Sequence, residues 1–165
     1  MKSLITRKVF SNIVVAVTGS DASIMAVKYA IVMAKQYHCK LTAVHVVDTA
    51  TIKYLTLTKI FVQEEGIEYE KNLEKNGERY LKFVEELAHA KGVKVERVLR
   101  KGAIYTEIIN VANEHKADLI VLGGWEKDVK SGNILGQSHK EIMANSNCSI
   151  LVVKEPDTDK IYKSA

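Results

Sequence analysis

Two short runs constrain this chain more than anything else in it: Ile13-Val-Val-Ala-Val17 and Asp118-Leu-Ile-Val-Leu122. Each is too short for a helix and is apolar at odd and even positions alike. A strand with no polar side has to be covered on both faces, which is the condition of an inner strand in a parallel sheet. Whatever else the chain does, it has to place helices above and below these two segments.

The intervening sequence supplies them. After Thr18-Gly19, Ser20 and Ser23 both suit a helix N-cap. From Ser23 to Tyr37, Ile24, Val27, Ala30, Ile31 and Ala34 recur at helical spacing. Cys39 to Val47 is a second strand. His45 inside it reads as a hydrogen-bonded structural histidine, since no nucleophile or metal partner lies near it in sequence. Residues 51–62 fit two descriptions. Alternation around 55–58 argues for an extended arm, and the place before a long helix argues for a short helix or lid. Gly66 separates this stretch from a helix over Ile67 to Lys91, whose one face carries Leu73, Tyr80, Leu81, Val84, Leu87 and Ala88. Gly77 weakens its middle and Gly92 suits its C-cap.

Val93 to Arg100 alternates apolar and charged residues, the pattern of a half-exposed edge strand. Tyr105 to His115 is helical, with Ile108, Ile109 and Ala112 inward. Ser138 opens the last helix, with Glu141 at capping-box spacing. Cys148 to Val153 is the fifth strand. The polar tail after Pro156 reads as frayed, as does the N-terminus.

Regular β-α alternation gives an α/β fold: an open five-stranded parallel sheet with helices on both faces, Rossmann-like. The apolar runs go inside and the 93–100 strand to an edge, so the strand order is 3-2-1-4-5. The expectation is one domain over residues 1–165, with its core at about 12–154. Its switch point lies between the first and fourth strands. The crevice there is lined by Ala16, Thr18 and Gly19 on one side and by Leu122 and Gly123 on the other.

The net charge of +4 is spread through interleaved lysines and glutamates. No basic stripe with aromatics emerges, so solvated faces are expected rather than a nucleic-acid surface. No apolar run reaches the ~18 residues of a membrane span. Cys39 and Cys148 lack metal-ligand spacing and read as reduced thiols. Met1 to Ser11 lacks the apolar core of a secretory signal. Together these point to a cytoplasmic protein.

Three segments in this order resemble the universal stress protein family. They are Ile13-Val-Val-Ala-Val-Thr-Gly-Ser20, Leu41-Thr-Ala-Val-His-Val-Val-Asp48, and Ala117-Asp-Leu-Ile-Val-Leu-Gly-Gly124 with Gly136 and Asn147-Cys-Ser-Ile-Leu-Val-Val153. The resemblance implies an adenine-nucleotide pocket at Ala16, Thr18, Val46, Leu122, Gly123, Glu126, Lys127, Gly136, Gln137 and Ser138. Its ligand is ATP with Mg²⁺, or AMP, or none. ATP-binding members carry a glycine, a second three residues later and a third ten beyond, followed by Ser or Thr. Gly123 and Gly136 match the first and third. Glu126 stands at the second, Gln137 after the third, and Thr18 where an acidic residue is usual. A carboxylate at ~4 Å from a phosphate costs on the order of 4 kcal/mol at an effective dielectric of ~20. Lys127, Lys130 and His139 offer compensating charge.

The family resemblance also implies a homodimer through the last strand. Cys148, Ser149, Ile150, Leu151, Val152 and Val153 are largely apolar on both parities yet fall at an edge, which invites pairing across a two-fold axis. Three functions remain in play: a ligand-sensing regulatory module, a scaffold acting through protein contacts, and a weak Mg-dependent ATPase. No nucleophile–base pair stands at a recognisable spacing, so a non-enzyme is expected.

Replacing Glu126 with Gly is expected to tighten nucleotide binding in a calorimetric titration. Unchanged affinity would mean that this carboxylate does not face the pocket.

Overall fold

A computed structural model describes residues 7–124 and 134–165. Its elements run β1 (Asn12–Ala16), α1 (Asp21–Tyr37), β2 (Lys40–Asp48), α2 (Thr49–Leu57), α3 (Gln63–His89), β3 (Val95–Gly102), α4 (Ile104–Glu114), β4 (Leu119–Gly123), α5 (Ile134–Asn145), β5 (Ser149–Val153) and α6 (Thr158–Ser164). The sheet is parallel throughout, in the order β3-β2-β1-β4-β5. This is the expected α/β architecture.

The two inner runs are buried on both sides, as their composition demands. Ile13, Val15, Val17, Leu119 and Val121 face one cluster with residues of α1, α3 and α6. Val14, Ile120 and Leu122 face the other, with Ile108, Val111, Ala112 and Ile142. Asp118 ties the two strands together at their starts. Its carboxylate accepts from the backbone N–H of Ser11 at 2.8 Å and of Asn12 at 3.2 Å.

At the β3 edge, charges pair with the helices on either face. Arg97 and Lys101 meet Glu85 and Glu74 of α3 at 2.7 and 2.9 Å, while Arg100 pairs with Glu114 of α4. These pairs sit in contact with water, so each contributes little to stability.

Helices α1, α3 and α4 end alike. A backbone N–H beyond the helix reaches back five residues: Cys39 to Ala34, Val93 to Ala88, Ala117 to Ala112. Each bond needs a left-handed residue before it, supplied by His38, Gly92 and Lys116.

The structure takes one of the two readings left open at the α1 cap and at residues 51–62, and departs from the sequence reading elsewhere. Helix α1 starts at Asp21, with Ser20 as its cap. Residues 49–57 are helical, begun by Asp48, whose carboxylate accepts from Thr51 N–H at 3.0 Å. Gly66 is no break; it lies buried in the first turn of α3, where a Cβ would meet Thr56 Oγ1 at 3.1 Å. Helix α5 starts at Ile134 rather than Ser138. Nor is the segment after Pro156 frayed. Helix α6 buries Thr158 and Tyr162 against α1 and α3, and the Tyr162 hydroxyl donates to the Leu87 carbonyl at 2.7 Å. Lys28 and Lys91 approach its ring at 5.6 and 4.7 Å from the centroid. A seven-residue helix with two inward side chains leaves too short a pattern to read against its polar neighbours.

Gly77 has a packing reason. His45 of β2 points at it, and a Cβ there would lie 2.4 Å from His45 Cδ2 and 3.0 Å from Leu99 Cδ1. The His45 Nδ1–H donates to the Val17 carbonyl at 2.8 Å, and Tyr80 meets the ring edge-on. Burial lowers the pKa of this imidazole below its ordinary 6.5, against the opposing pull of the Val17 carbonyl. It is the structural histidine expected. Gly77→Ala gains about 1 kcal/mol of helix propensity but overpacks this contact. A net loss of about 1–3 kcal/mol is expected in urea denaturation.

Candidate functional site

The carboxyl edge of a parallel sheet is where its ligands bind. Here that edge offers a cleft of about 510 Å³ on the α4/α5 face, lined by Asp48, Ala50, Thr51, Ala103, Ile104, Gln137, Ser138 and Lys140. Three helices begin around it. Asp48 caps α2, while α4 follows Ala103 and has no side-chain cap. Gln137 and Ser138 belong to the start of α5. A helix start without a cap leaves backbone N–H groups unsatisfied and carries the positive end of the macrodipole. Lys140 adds a full charge of the same sign. Asp48 also lines the cleft, with its carboxylate bonded to Thr51, and Glu107 lies in the first turn of α4, so the favourable place for an anionic group is the α4 start on the Lys140 side.

The apolar part is next to it. Ala16, Val46 and Leu122 lie on this face of the sheet, in one cluster with Ile104. Leu122 is buried and the other two half-buried. These three expected site residues are thus brought together as a floor, with Ile104 as their link to the cleft. Gln137 and Ser138 line the cleft itself, although the Gln137 amide also donates to Glu141 at 3.0 Å. Gly136 falls in the first turn of α5. Glu126 and Lys127 lie outside the described residues, as do Trp125, Lys130 and Gly132.

Thr18 is placed differently. Its hydroxyl sits 2.9 Å from that of Ser20 and accepts from Ser20 N–H, while its own N–H donates to Ser23 Oγ at 2.7 Å. It belongs to the cap of α1. Together with Gly19 it borders a space of only about 80 Å³ under Tyr80 on the opposite face.

Gly123 also has a role that needs no ligand. A Cβ there would lie 2.7 Å from both the C and O atoms of Ala22, and 3.0 Å from the Ser23 nitrogen. At Gly124 it would lie 2.9 Å from the Val153 carbonyl oxygen. The first glycine lets the start of α1 close on β4, and the second clears β5. His139 completes the arrangement, with Nε2 2.7 Å from the Gly123 oxygen. Its ring fastens α5 to the end of β4.

A wider recess of about 1070 Å³ lies at the opposite, amino edge, among Lys35, Lys40, Lys94 and Lys116. Helix C-termini converge there, so it lacks the free backbone donors of the carboxyl edge. Cys39 and Cys148 are half-buried near that edge. Burial first, then Asp118, raises both thiol pKa values and favours the protonated thiol. Among the described residues no group of His, Cys, Asp and Glu is placed to hold a metal.

The sequence reading did not single out Asp48, Ala103, Ile104 or Lys140 as site residues. Ala103 was legible in principle: a helix start with none of Ser, Thr, Asp or Asn before it is an uncapped one. Lys140 carried no local signal.

The model of the universal stress protein family matches residues 10–154. The chain belongs to that family. Among its universal stress protein relatives, MJ0531 of Methanocaldococcus jannaschii is 32% identical over 147 residues, covering 89% of this chain and 84% of its own. The fold matches the solved hypothetical protein MJ0577 with a TM-score of 0.75 at 21% identity, over 91% of this chain and 99% of that one. It also matches a universal stress protein solved in complex with cAMP, with a TM-score of 0.65 at 23% identity, over 88% and 98% of the two chains.

Because Gly123 is needed for packing, Gly123→Ala is expected to destabilise the protein by about 1–3 kcal/mol without any nucleotide present. Unchanged urea denaturation would return this glycine to a ligand-only role.

Proposed function

We propose that this universal stress protein is a regulatory module that binds an adenine nucleotide in the carboxyl-edge cleft. The observation that carries the reading is the uncapped start of α4 opening beside Lys140 and the Ala16–Val46–Leu122–Ile104 floor. A base needs an apolar surface and a phosphate needs backbone N–H groups; the cleft, of ordinary ligand size, offers the second, and the apolar floor lies beside it, joined to it through Ile104. The cAMP complex of a protein of the same fold supports an adenine compound of low charge. So does the departure at Glu126, which opposes a triphosphate more than a monophosphate. AMP is therefore the preferred ligand, with Mg²⁺ needed only if ATP is taken instead. Binding rather than catalysis is the role proposed.

The proposal includes a cytoplasmic location, in keeping with the two free cysteines Cys39 and Cys148, and a homodimer through β5. Ile150, Leu151 and Val152 remain half-buried at the sheet edge. An apolar groove of about 620 Å³ runs beside them, bordered by Tyr29, Met33 and Ile161.

A second reading has its own observation. The contacts of Gly123 and Gly124 account for both glycines by packing, and Thr18 is committed to the α1 cap. A scaffold with an empty cleft would keep all three.

Native mass spectrometry of protein purified without added nucleotide separates the two. An adenine nucleotide at near-equal stoichiometry is the expected result. A bare chain that shows no thermal shift with millimolar AMP or Mg-ATP would leave the scaffold reading. Lys140→Glu is expected to weaken AMP binding roughly fivefold to tenfold at low ionic strength, with unchanged melting of the unliganded protein.

A further inference from the structure

The connection between α2 and α3 is a feature that neither the sheet nor the cleft explains. Tyr54, Leu57, Ile60, Val62, Ile67 and Tyr69 are all exposed there, from 44% to 72%. Large apolar side chains are commonly exposed singly; six within sixteen residues of one helical hairpin are a concentration of the kind that marks an interaction site.

The patch is held in shape. Both Ile60 N–H and Phe61 N–H donate to the Leu55 carbonyl, at 2.9 and 3.0 Å. Lys59 takes the left-handed conformation that closes the turn, and Phe61 stacks edge-on against Tyr69. At its root Ile52 is buried, and Gly66 brings α3 against Thr56. A surface already ordered loses little conformational freedom on binding.

The charges around it point to the occupant. Lys53 and Lys59 flank the tip on the α2 side, and Glu64, Glu65 and Glu68 on the α3 side, all exposed. None of the five enters an ion pair among the described residues. Nearest the tip each arm carries one sign, with Lys71 of α3 lying a turn farther along; turning a second hairpin about a two-fold axis sets the basic arm of each against the acidic start of the other. A membrane surface would meet the acidic arm with repulsion from its anionic lipids.

We infer that the α2–α3 tip is a self-association surface, which packs against the same tip of a second copy of this chain. The contact is separate from β5, so it adds one association step to whatever the sheet edge provides.

The test is sedimentation velocity on the full chain over a concentration series, with Leu57→Asp/Ile60→Asp as the apolar variant. The expected result is loss of one association step, or a dissociation constant raised roughly 10- to 100-fold, with circular dichroism and melting unchanged. Lys53→Glu/Lys59→Glu weakens the step alone, and mixing it with Glu64→Lys/Glu65→Lys restores association as a heteromer. Ile60→Cys forms an intermolecular disulfide on mild oxidation, in an Ile150→Asp background that disrupts the β5 edge. Equal mass for wild type and the apolar variant at every concentration overturns the inference. So does retention of the wild type on phosphatidylcholine–phosphatidylserine vesicles that the apolar variant loses.

Discussion

Gly123 has room for a hydrogen and little more. The start of α1 comes so close to the end of β4 that the backbone of Ala22 occupies the place of a side chain. That approach fixes how the two halves of the sheet meet, because α1 follows β1 and packs on β4 across the switch point. Asp118 fixes the same pair of strands at the other end, through the amides of Ser11 and Asn12. Between these fastenings the inner strands are held in register, and the carboxyl edge acquires a defined shape.

Polar satisfaction divides that edge in two. On the α1 side, Thr18, Ser20 and Ser23 bond to one another and to the backbone, so the helix start is capped from within the chain. On the α4 side no side chain performs this service. The asymmetry follows from two short sequences, Thr-Gly-Ser-Asp-Ala-Ser at 18–23 and Gly-Ala-Ile at 102–104. Hydroxyls at fixed offsets satisfy a helix start; alanine cannot.

The sheet order was legible because its signals are collective. Apolar runs at 13–17 and 119–122, and charge alternation near 93–100, each exclude most positions in a parallel sheet. The face on which the strand positions Ala16, Val46 and Leu122 lie was legible for the same reason: their parity fixes it. The partners of Thr18 were not, since a hydroxyl beyond a strand end turns toward whichever partner the next turn supplies, here Ser20. Ile104 and Lys140 become neighbours only through the packing of α4 on α5, a contact without trace in local spacing. The tail after Pro156 failed for want of length, and Gly66 because a close helix crossing has the same symbol as a break.

The closed and open helix starts divide the consequences of sequence drift. A change at Ser20, Ser23 or Gly123 is felt by the whole molecule, since those positions join its parts. A change at Ala103 or Lys140 falls at the rim of the cleft, away from these joints, and on the proposed function alters what the cleft can hold. On that proposal, chains of this architecture diverge in what their clefts accept while the joints between strands and helices stay fixed.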